Sequence, residues 1–433
     1  MASTSDEEEG AARSAFHGDD HAAEVGLLQK ESAWAPRPAL NHRSWWISWH
    51  STALWTLLLG MCLAGGYLLA VLRVSRSKAG AVTLAMDIQR CDEMLGKKDW
   101  RRKRHVGHAV CSDWSAFIKY PDPNEEATQQ ALISSMNLTS GDYRFLVFGD
   151  WGRDGFCCQR DVAQQMEQFA RLAAPVSCLI NVGDNFYPVG IQHHRAEQVQ
   201  TSWTDVYLTQ KHPTLAALPW ISVLGNHDWY GDPSAVLKMH DEYTQWYMPA
   251  RWYSRTVGLG SDGKQGEAFF AFLDTSVIFY SVDEEDMTKM KLDESDIDKQ
   301  LSWLDHELST SRADWKIVVG HHPVTTSGSH AYEEAAQIAR LREKLHPLLV
   351  RHKVAAYFCG HDHDMQHLTL DGVHYYVSGA GSQVRPIGSL PGDGAIFGVG
   401  MQGFLMAQLS KARLHVRFVS FRGSFLYEHV LTK

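Results

Sequence analysis

The chain has 433 residues, of which 44% are hydrophobic, and its formal net charge is −9. This length and hydrophobic content allow one large buried core or two modest ones. An acidic chain does not follow nucleic-acid phosphates with Lys and Arg, so the composition argues against a nucleic-acid binder. Seven cysteines are too few for a fold that depends on a disulfide framework.

The N-terminal part of the chain has the pattern of a tail followed by a membrane anchor. Residues 1–50 are mostly polar and open with an acidic run, which predicts a disordered tail. Residues 51–72 carry no charge, and about 20 apolar residues span a bilayer core. We therefore predict a transmembrane signal-anchor helix over residues 51–73. A cleaved signal peptide fits less well, because the preceding tail is long and has no basic region.

Residues 74–140 mix basic runs with proline and acidic residues, and we predict a stalk there. The charges that flank the apolar segment slightly favour a cytosolic C-terminal part. In contrast, the glycosylation sequon at Asn137 favours a lumenal or extracellular one, and long domains cross membranes despite such a bias. We expect a cytosolic tail and a domain over residues 141–433 that faces the lumen of a lysosome-like endomembrane compartment or the cell exterior.

After Gly141, five short apolar runs each end in glycine followed by potential metal ligands. Continuous apolar runs of this length predict buried strands, and helical patterns begin at Asp161 and Asp296 between them. Glycine lets the backbone turn sharply and approach a ligand closely. Ligands at the ends of adjacent strands meet at one edge of a sheet. The five strand ends are Gly149-Asp150, Gly183-Asp184, Gly225-Asn226-His227, Gly320-His321 and Gly360-His361-Asp362-His363.

A tyrosine, Tyr187, follows the second of these aspartates by three residues. The order of the five motifs resembles that of the calcineurin-like metallophosphoesterases. Many members of that superfamily carry a histidine two residues after the first aspartate, where this chain has Gly152. The missing histidine and the added tyrosine together resemble the purple acid phosphatases. From about residue 143 onward, the chain is similar to their small, mammalian-type, tartrate-resistant members.

The resemblance implies a fold, a pair of metal ions and their ligands. The fold would be of the α/β class, with two mixed β-sheets packed face to face and flanked by helices. Fe(III) and a divalent metal (Fe, Zn or Mn) would form the centre, because phenolate and carboxylate oxygens suit Fe(III) and histidines suit the divalent ion. The implied iron ligands are Asp150, Asp184, Tyr187 and His363, and those of the second metal are Asp184, Asn226, His321 and His361.

Two further histidines, His227 and His330, match family positions that face the phosphate. There they would stabilise the transition state and protonate the leaving oxygen, although a solvated loop histidine is the alternative for His330. The expected protein is a membrane-anchored acid phosphatase that hydrolyses phosphomonoesters with a metal-bound hydroxide. The alternatives are an inactive relative that serves as a membrane scaffold, and a metallophosphoesterase that acts on nucleotides or phosphoproteins.

The resemblance does not explain the cysteines or one acidic segment. Cys178 and Cys359 lie in apolar runs, and we predict that both are buried thiols. The adjacent Cys157 and Cys158 either form disulfides elsewhere or remain thiols. Residues 283–298 fall where the mammalian-type enzymes carry a loop that restrains activity, and an ordinary surface loop is the alternative.

Overall fold

A computed structural model describes residues 138–385 and 394–433, together with residues 131, 134, 136 and 387. The predicted tail, the membrane helix at 51–73, most of the stalk and the sequon residue Asn137 lie outside the described residues. Within the described residues, no helix is both long and apolar enough to cross a bilayer. The membrane anchor therefore stays a prediction from the sequence.

The described part of the chain forms fourteen strands, numbered here in chain order. The five apolar runs that end in glycine are all strands, as predicted. The strands are β1 Tyr143–Phe148, β2 Cys178–Asn181, β3 Trp220–Ser222, β4 Trp246–Tyr247, β5 Tyr253–Leu259, β6 Gly266–Phe272, β7 Trp315–Val319, β8 Ala356–Cys359, β9 Met365–Leu370, β10 Val373–Ser378, β11 Ala395–Val399, β12 Gly403–Leu409, β13 Arg413–Ser420 and β14 Phe425–Thr432.

The strands form two seven-stranded sheets, and both sheets are mixed, as the sequence predicts. The first sheet has the order β14-β13-β12-β1-β2-β3-β4, and the second has the order β11-β9-β10-β8-β7-β6-β5. In the first sheet, β1 to β4 are parallel and β12 to β14 are antiparallel. In the second, β6, β7, β8 and β10 are parallel, and the strands at both edges are antiparallel.

The two sheets pack face to face through aromatic side chains. Phe145 on β1 of the first sheet is fully buried. Its ring meets two rings of the second sheet edge-on, Phe270 on β6 at 5.7 Å and Phe358 on β8 at 6.0 Å between centroids. Edge-to-face pairs of this kind add to the free energy of burial, which stabilises the interface between the sheets.

Helices flank the sheets, and each long helix buries one apolar side. The helix Gln159–Leu172 buries Val162, Met166 and Phe169, which are spaced for a single helical face. Phe169 then contacts Phe404 on β12 at 5.8 Å between centroids. The helices are Gln159–Leu172, Glu197–Val199, Asp205–Tyr207, Pro213–Ala217, Asn226–Trp229, Pro233–Glu242, Ser276–Phe279, Glu284–Met290, Ser295–Thr310, His330–Glu333 and Ala335–Arg351, with a π turn at Gln200–Thr204 and a 3-10 turn at Tyr280–Val282.

The segment 283–298, for which the sequence suggests a loop, is mostly helical. Glu284–Met290 forms one helix, and the segment ends inside the next helix. Asp283 caps the first helix, because its carboxylate accepts hydrogen bonds from two N–H groups of the first turn. The side chain of Lys289 lies over the ring of Tyr230, with its nitrogen 4.7 Å from the centroid. The segment therefore packs on the molecule as ordered structure.

The described cysteines fall into two classes. Cys178 and Cys359 are buried free thiols, which confirms the prediction. Cys157 and Cys158 are both disulfide-bonded, so the alternative of free thiols is wrong for these two residues. Both residues have left-handed backbone conformations, with φ angles of 52° and 67°.

Candidate metal centre

Three of the predicted ligands lie in left-handed backbone conformations at the ends of strands. The φ angles are 60° for Asp150, 53° for Asp184 and 68° for His361. Residues with a side chain rarely adopt this region, and such strain is concentrated at functional sites. After β1, β2 and β8, the chain therefore leaves its strand abruptly and carries a ligand side chain to the edge of the sheet.

At two of the strand ends, a carboxylate oxygen lies so close to the backbone that the residue there must be glycine. A Cβ atom at Gly225 would lie 2.2 Å from Asp184 Oδ1, and one at Gly360 would lie 2.3 Å from Asp150 Oδ2. Both distances are far shorter than any contact between non-bonded atoms. Only glycine fits at these positions, which confirms the reason inferred from the sequence for a glycine at these strand ends.

The hydroxyl of Tyr187 lies at the meeting point of the four predicted iron ligands. It donates a hydrogen bond to Asp184 Oδ2 at 2.7 Å. It also lies 3.0 Å from Asp150 Oδ1 and 3.0 Å from His363 Nε2. All four side chains are buried. Three oxygens and one imidazole nitrogen therefore face a common point.

The predicted ligands of the second metal form an adjoining group. Asn226 Oδ1 lies 3.1 Å from His321 Nε2 and 3.1 Å from His361 Nδ1. The other oxygen of Asp184, Oδ1, lies 3.4 Å from His321 Nε2. Asp184 therefore presents one carboxylate oxygen to each group, and all seven predicted ligands are brought together.

The pKa shifts of the buried acidic groups fit a site that binds a cation. Burial raises the pKa of Asp150 to about 8, and the charge of Asp184 adds to this rise although His321 opposes it. Burial also acts on Asp184, but His321 and His227 hold the pKa of that carboxyl well below its usual range. The pKa of the Tyr187 phenol is raised by burial and by both carboxylates. A bound cation would allow all three groups to be ionised together.

Hydrogen bonds orient two of the histidines for metal binding. His321 Nδ1 donates to the carbonyl oxygen of Val182 at 2.8 Å, and this leaves Nε2 free to face the centre. His361 Nε2 donates to Glu334 at 2.6 Å, which leaves Nδ1 to face Asn226. Such bonds fix the tautomer and orientation of a metal-binding imidazole. The donor atoms and their orientation therefore fit a pair of metal ions.

Comparison with known proteins agrees with this geometry. Residues 143–365 match the family described as calcineurin-like phosphoesterase. The chain belongs to this family. Purple acid phosphatase 7 of Arabidopsis thaliana is 33% identical over 305 residues, which cover 68% of this chain and 88% of that protein. Human tartrate-resistant acid phosphatase type 5 is 30% identical over 305 residues, covering 66% of this chain and 89% of that protein.

The calcineurin-like fold is also similar to that of a solved structure. GAP50, described as the anchor in the inner membrane complex of Plasmodium, has a TM-score of 0.58 and 27% identity. The match covers 68% of this chain and 89% of that one. The resemblance predicted from the motifs is thus confirmed. The relatives are named acid phosphatases and the chain carries a phosphoesterase domain, so the predicted enzyme class is confirmed as well.

Beside the ligands of this phosphoesterase domain lies His227, at the edge of the centre. Its Nδ1 donates to the carbonyl oxygen of Pro188 at 2.5 Å, which directs Nε2 towards Asp184 Oδ2 at 3.9 Å. Its ring lies 4.2 Å from that of Tyr187. Burial lowers the pKa of His227, and the charge of Asp184 opposes this. His227 therefore borders the centre with one ring nitrogen open to it.

His330 lies beside the predicted ligands of the second metal. Its ring stacks on that of His361 at 4.2 Å between centroids. Its Nδ1 donates to Asp362 Oδ1 at 2.8 Å. Burial lowers the pKa of His330, but the hydrogen bond and charge of Asp362 outweigh burial, so the pKa is raised overall. The simple alternative of a solvated loop histidine does not hold, because this side chain is buried and bonded to a carboxylate.

Sequence reasoning missed three charged residues at the centre. The guanidinium of Arg153 lies 3.7 Å from the centroid of the Tyr187 ring. Arg385 Nη1 lies 3.2 Å from His330 Nε2, and Glu334 holds His361 as described above. No motif or spacing marks these residues, because a charged residue in a loop is ordinary. Arginines at such a site suit a phosphate dianion.

Proposed function

We propose that the chain is a membrane-anchored acid phosphatase that hydrolyses phosphomonoesters at a binuclear centre of Fe(III) and a divalent ion, Fe, Zn or Mn. One observation carries this proposal. The two carboxylate oxygens of Asp184 face different groups, Oδ2 at 2.7 Å from the Tyr187 hydroxyl and Oδ1 at 3.4 Å from His321 Nε2. A carboxylate shared between an oxygen-rich group and a histidine-rich group suits two unlike metal ions.

The charges of the proposed ligands also favour this assignment. Asp150, Asp184 and Tyr187 as phenolate supply three negative charges, with His363 completing the ferric group. Asn226, His321 and His361 are neutral and would hold the divalent ion with Asp184. Fe(III) and a divalent ion together carry five positive charges, so a surplus of about two remains to attract a phosphate dianion. Bound there, the ions would supply Lewis acidity and an activated water.

The neighbouring side chains would bind and orient the phosphate ester. We assign His227 and His330 as donors to the phosphate and to the leaving oxygen. Each ring is held through Nδ1, His227 by the carbonyl oxygen of Pro188 and His330 by Asp362, so Nε2 is the nitrogen that would face the substrate. In His330, Nε2 would exchange its present contact with Arg385 Nη1, at 3.2 Å, for the substrate. Arg385 lies beside His330 and adds positive charge where the phosphate would lie.

The sequence and the cysteines support a proposal for the location of the protein. We propose a cytosolic tail over residues 1–50, a signal-anchor helix over 51–73, a stalk over 74–140 and a lumenal or extracellular enzyme domain over 141–433. The disulfide bonds of Cys157 and Cys158 support this placement, because disulfides persist in oxidising compartments. An oxidising compartment also favours iron in its ferric state.

A second role as a membrane scaffold is favoured by one structural neighbour. GAP50 is described as an anchor in a membrane complex, and this chain shares its fold. An inactive scaffold has no need of metal ligands, whereas the seven ligand side chains here converge. A scaffolding role would therefore accompany the phosphatase activity, and it would survive a substitution that abolishes the activity.

Removal of the shared carboxylate tests the proposed centre. The full-length protein is purified in detergent, its metal content is measured by mass spectrometry, and hydrolysis of phenyl phosphate is followed at acid pH. Asp184→Asn should lose both metals and the activity together, since it withdraws a charge from both ions. Asp241→Asn, an exposed aspartate on a helix, is the matched control and should behave as wild type. Wild-type protein without activity, or Asp184→Asn with both metals and full activity, would overturn the proposal.

A further inference from the structure

Three histidines from both sheets meet at a place that the phosphatase reaction does not use. His367 lies on β9 and His374 on β10, the two strands that follow the edge strand β11 in the second sheet. His429 lies on β14, the edge strand of the first sheet. His367 is paired with Tyr376 across the β9–β10 hairpin, so His374, two residues before Tyr376, extends from the same face as His367.

The three imidazoles are close enough to share one ion. His367 Nε2 lies 2.9 Å from His374 Nδ1. The ring of His429 lies 4.5 Å from that of His367 and 4.9 Å from that of His374, between centroids. One nitrogen of each residue lies within 4.8 Å of the other two. In a tetrahedral zinc site with bonds of ~2.0–2.1 Å, ligand nitrogens are ~3.4 Å apart, so small side-chain rotations are enough.

Two tyrosines hold the rings in the orientation that a metal site requires. Tyr427 bonds His367 Nδ1 at 2.8 Å, and Tyr376 bonds His429 Nδ1 at 2.9 Å. In both histidines this leaves Nε2 as the ligand atom, and in His367 a bound ion would replace the present hydrogen bond from Nε2 to His374 Nδ1. Hydrogen bonding of the second ring nitrogen is the usual way in which proteins orient a metal-binding histidine. Simple packing of aromatic rings does not require two such bonds.

The environment also keeps the imidazoles neutral, which is the form that binds a metal. Burial, together with the neighbouring His429 and His374, lowers the pKa of His367 to about 3. Burial and His429 lower the pKa of His374 to about 4. The pKa of His429 is lowered by burial as well. The surroundings therefore favour the neutral, metal-binding form of all three imidazoles.

We propose that His367, His374 and His429 bind one divalent transition-metal ion, Zn²⁺, with water or a small anion in the fourth position. Three neutral imidazoles suit borderline ions of this kind. The ion would join the edge strand β14 of one sheet to the β9–β10 hairpin of the other. It therefore has a structural role.

The proposed zinc site is separate from the binuclear centre. His374 lies near the start of β10, whereas the end of that strand, Ser378, leads into Gly379 beside Asp150. Four residues of strand span about 13 Å. The two sites therefore share no ligand, and the zinc site does not depend on the proposed reaction.

Measurement of the zinc content per chain in a matched pair of variants tests this inference. Full-length wild type, His429→Gln and His415→Gln are loaded with Zn²⁺, dialysed, and analysed for zinc per chain and for thermal unfolding. Wild type should hold one more zinc than His429→Gln and unfold several degrees higher with Zn²⁺ than without it. His415 lies on the neighbouring strand β13 and bonds Glu428 instead, so His415→Gln should match wild type. Phosphatase activity should be the same in all three.

A second measurement covers the case in which His429→Gln folds poorly. Tyr427→Phe keeps the ring but removes the hydroxyl that orients His367, and should weaken Zn²⁺ binding at this site about 10-fold or more. Equal zinc in wild type and His429→Gln, or an equal loss in His415→Gln, would overturn the proposal. Unchanged zinc affinity in a folded Tyr427→Phe protein would also count against it.

Discussion

The guanidinium of Arg153 lies over the ring of Tyr187, 3.7 Å from its centroid. Burial and the carboxylates of Asp150 and Asp184 raise the pKa of Tyr187, and Arg153 opposes this rise. A cation over an aromatic ring is a favourable contact, and its charge stabilises the phenolate. The phenolate is the form proposed to bind iron, so Arg153 prepares Tyr187 for that role.

Visible spectroscopy tests this pair of residues. Tyrosinate bound to Fe(III) absorbs visible light by charge transfer, so the oxidised, iron-loaded protein should be pink to purple. Tyr187→Phe should remove the absorption band while the protein stays folded. Arg153→Met should move the appearance of the band to higher pH, and Arg160→Met, in the same segment, should not. A colourless iron-loaded wild type would show that Tyr187 is not a ligand.

The two histidines that are not ligands should affect the rate and not the metal content. His227→Ala and His330→Ala should keep both metals and lose roughly 10²–10⁴-fold in kcat. The loss should be larger for alkyl phosphates than for aryl phosphates, because an alkoxide needs a proton to leave. His212→Ala is the matched control, since His212 also bonds a carbonyl oxygen through Nδ1 but lies outside the centre. Wild-type rates on alkyl phosphates in both variants would refute these roles.

The histidine cluster should make the metal-free fold sensitive to acid. The pKa of His374 falls from the usual 6.5 to about 4 on folding, because burial and His429 disfavour its charged form. A histidine with a lowered pKa in the fold is neutral in both states above about pH 6.5. As the pH falls from 6.5 towards 4, only the unfolded state binds the proton, so the folded state loses stability. The thermal unfolding temperature of the metal-free protein should therefore drop by several degrees as the pH falls over this range. In His374→Gln the drop should be smaller, and a drop of equal size would contradict the prediction.

Protease protection tests the proposed membrane topology. In sealed membrane vesicles that expose the cytosolic side, the domain over 141–433 should resist added protease until detergent opens the vesicles. An epitope tag at the N-terminus should be removed without detergent, which provides the internal control. Cleavage of the enzyme domain in intact vesicles would show that it faces the cytosol.

Local patterns in the sequence located five of the fourteen strands that the structure describes, together with most of the candidate centre. An apolar run followed by glycine and a polar ligand depends on neighbouring residues alone, so five strand ends could be located without a structure. Asp150 and His361 lie at two of these ends, and their left-handed backbone follows from the sharp exit. Tyr187 was identifiable because a tyrosine three residues after Asp184 resembles the pattern of the purple acid phosphatases. The helix within residues 283–298 was harder to predict from the sequence, since a helix that begins with an acidic cap has the composition of a surface loop.

Only the tertiary structure decided which distant residues support these ligands. Arg153 lies over Tyr187, and Glu334 bonds His361 from 27 positions away, with no pattern that links either pair. The cluster of His367, His374 and His429 exists because β14 of one sheet packs against the β9–β10 hairpin of the other. Spacing in a sequence describes one strand or helix at a time. Contacts between sheets depend on how the whole chain packs, so the sequence alone does not reveal them.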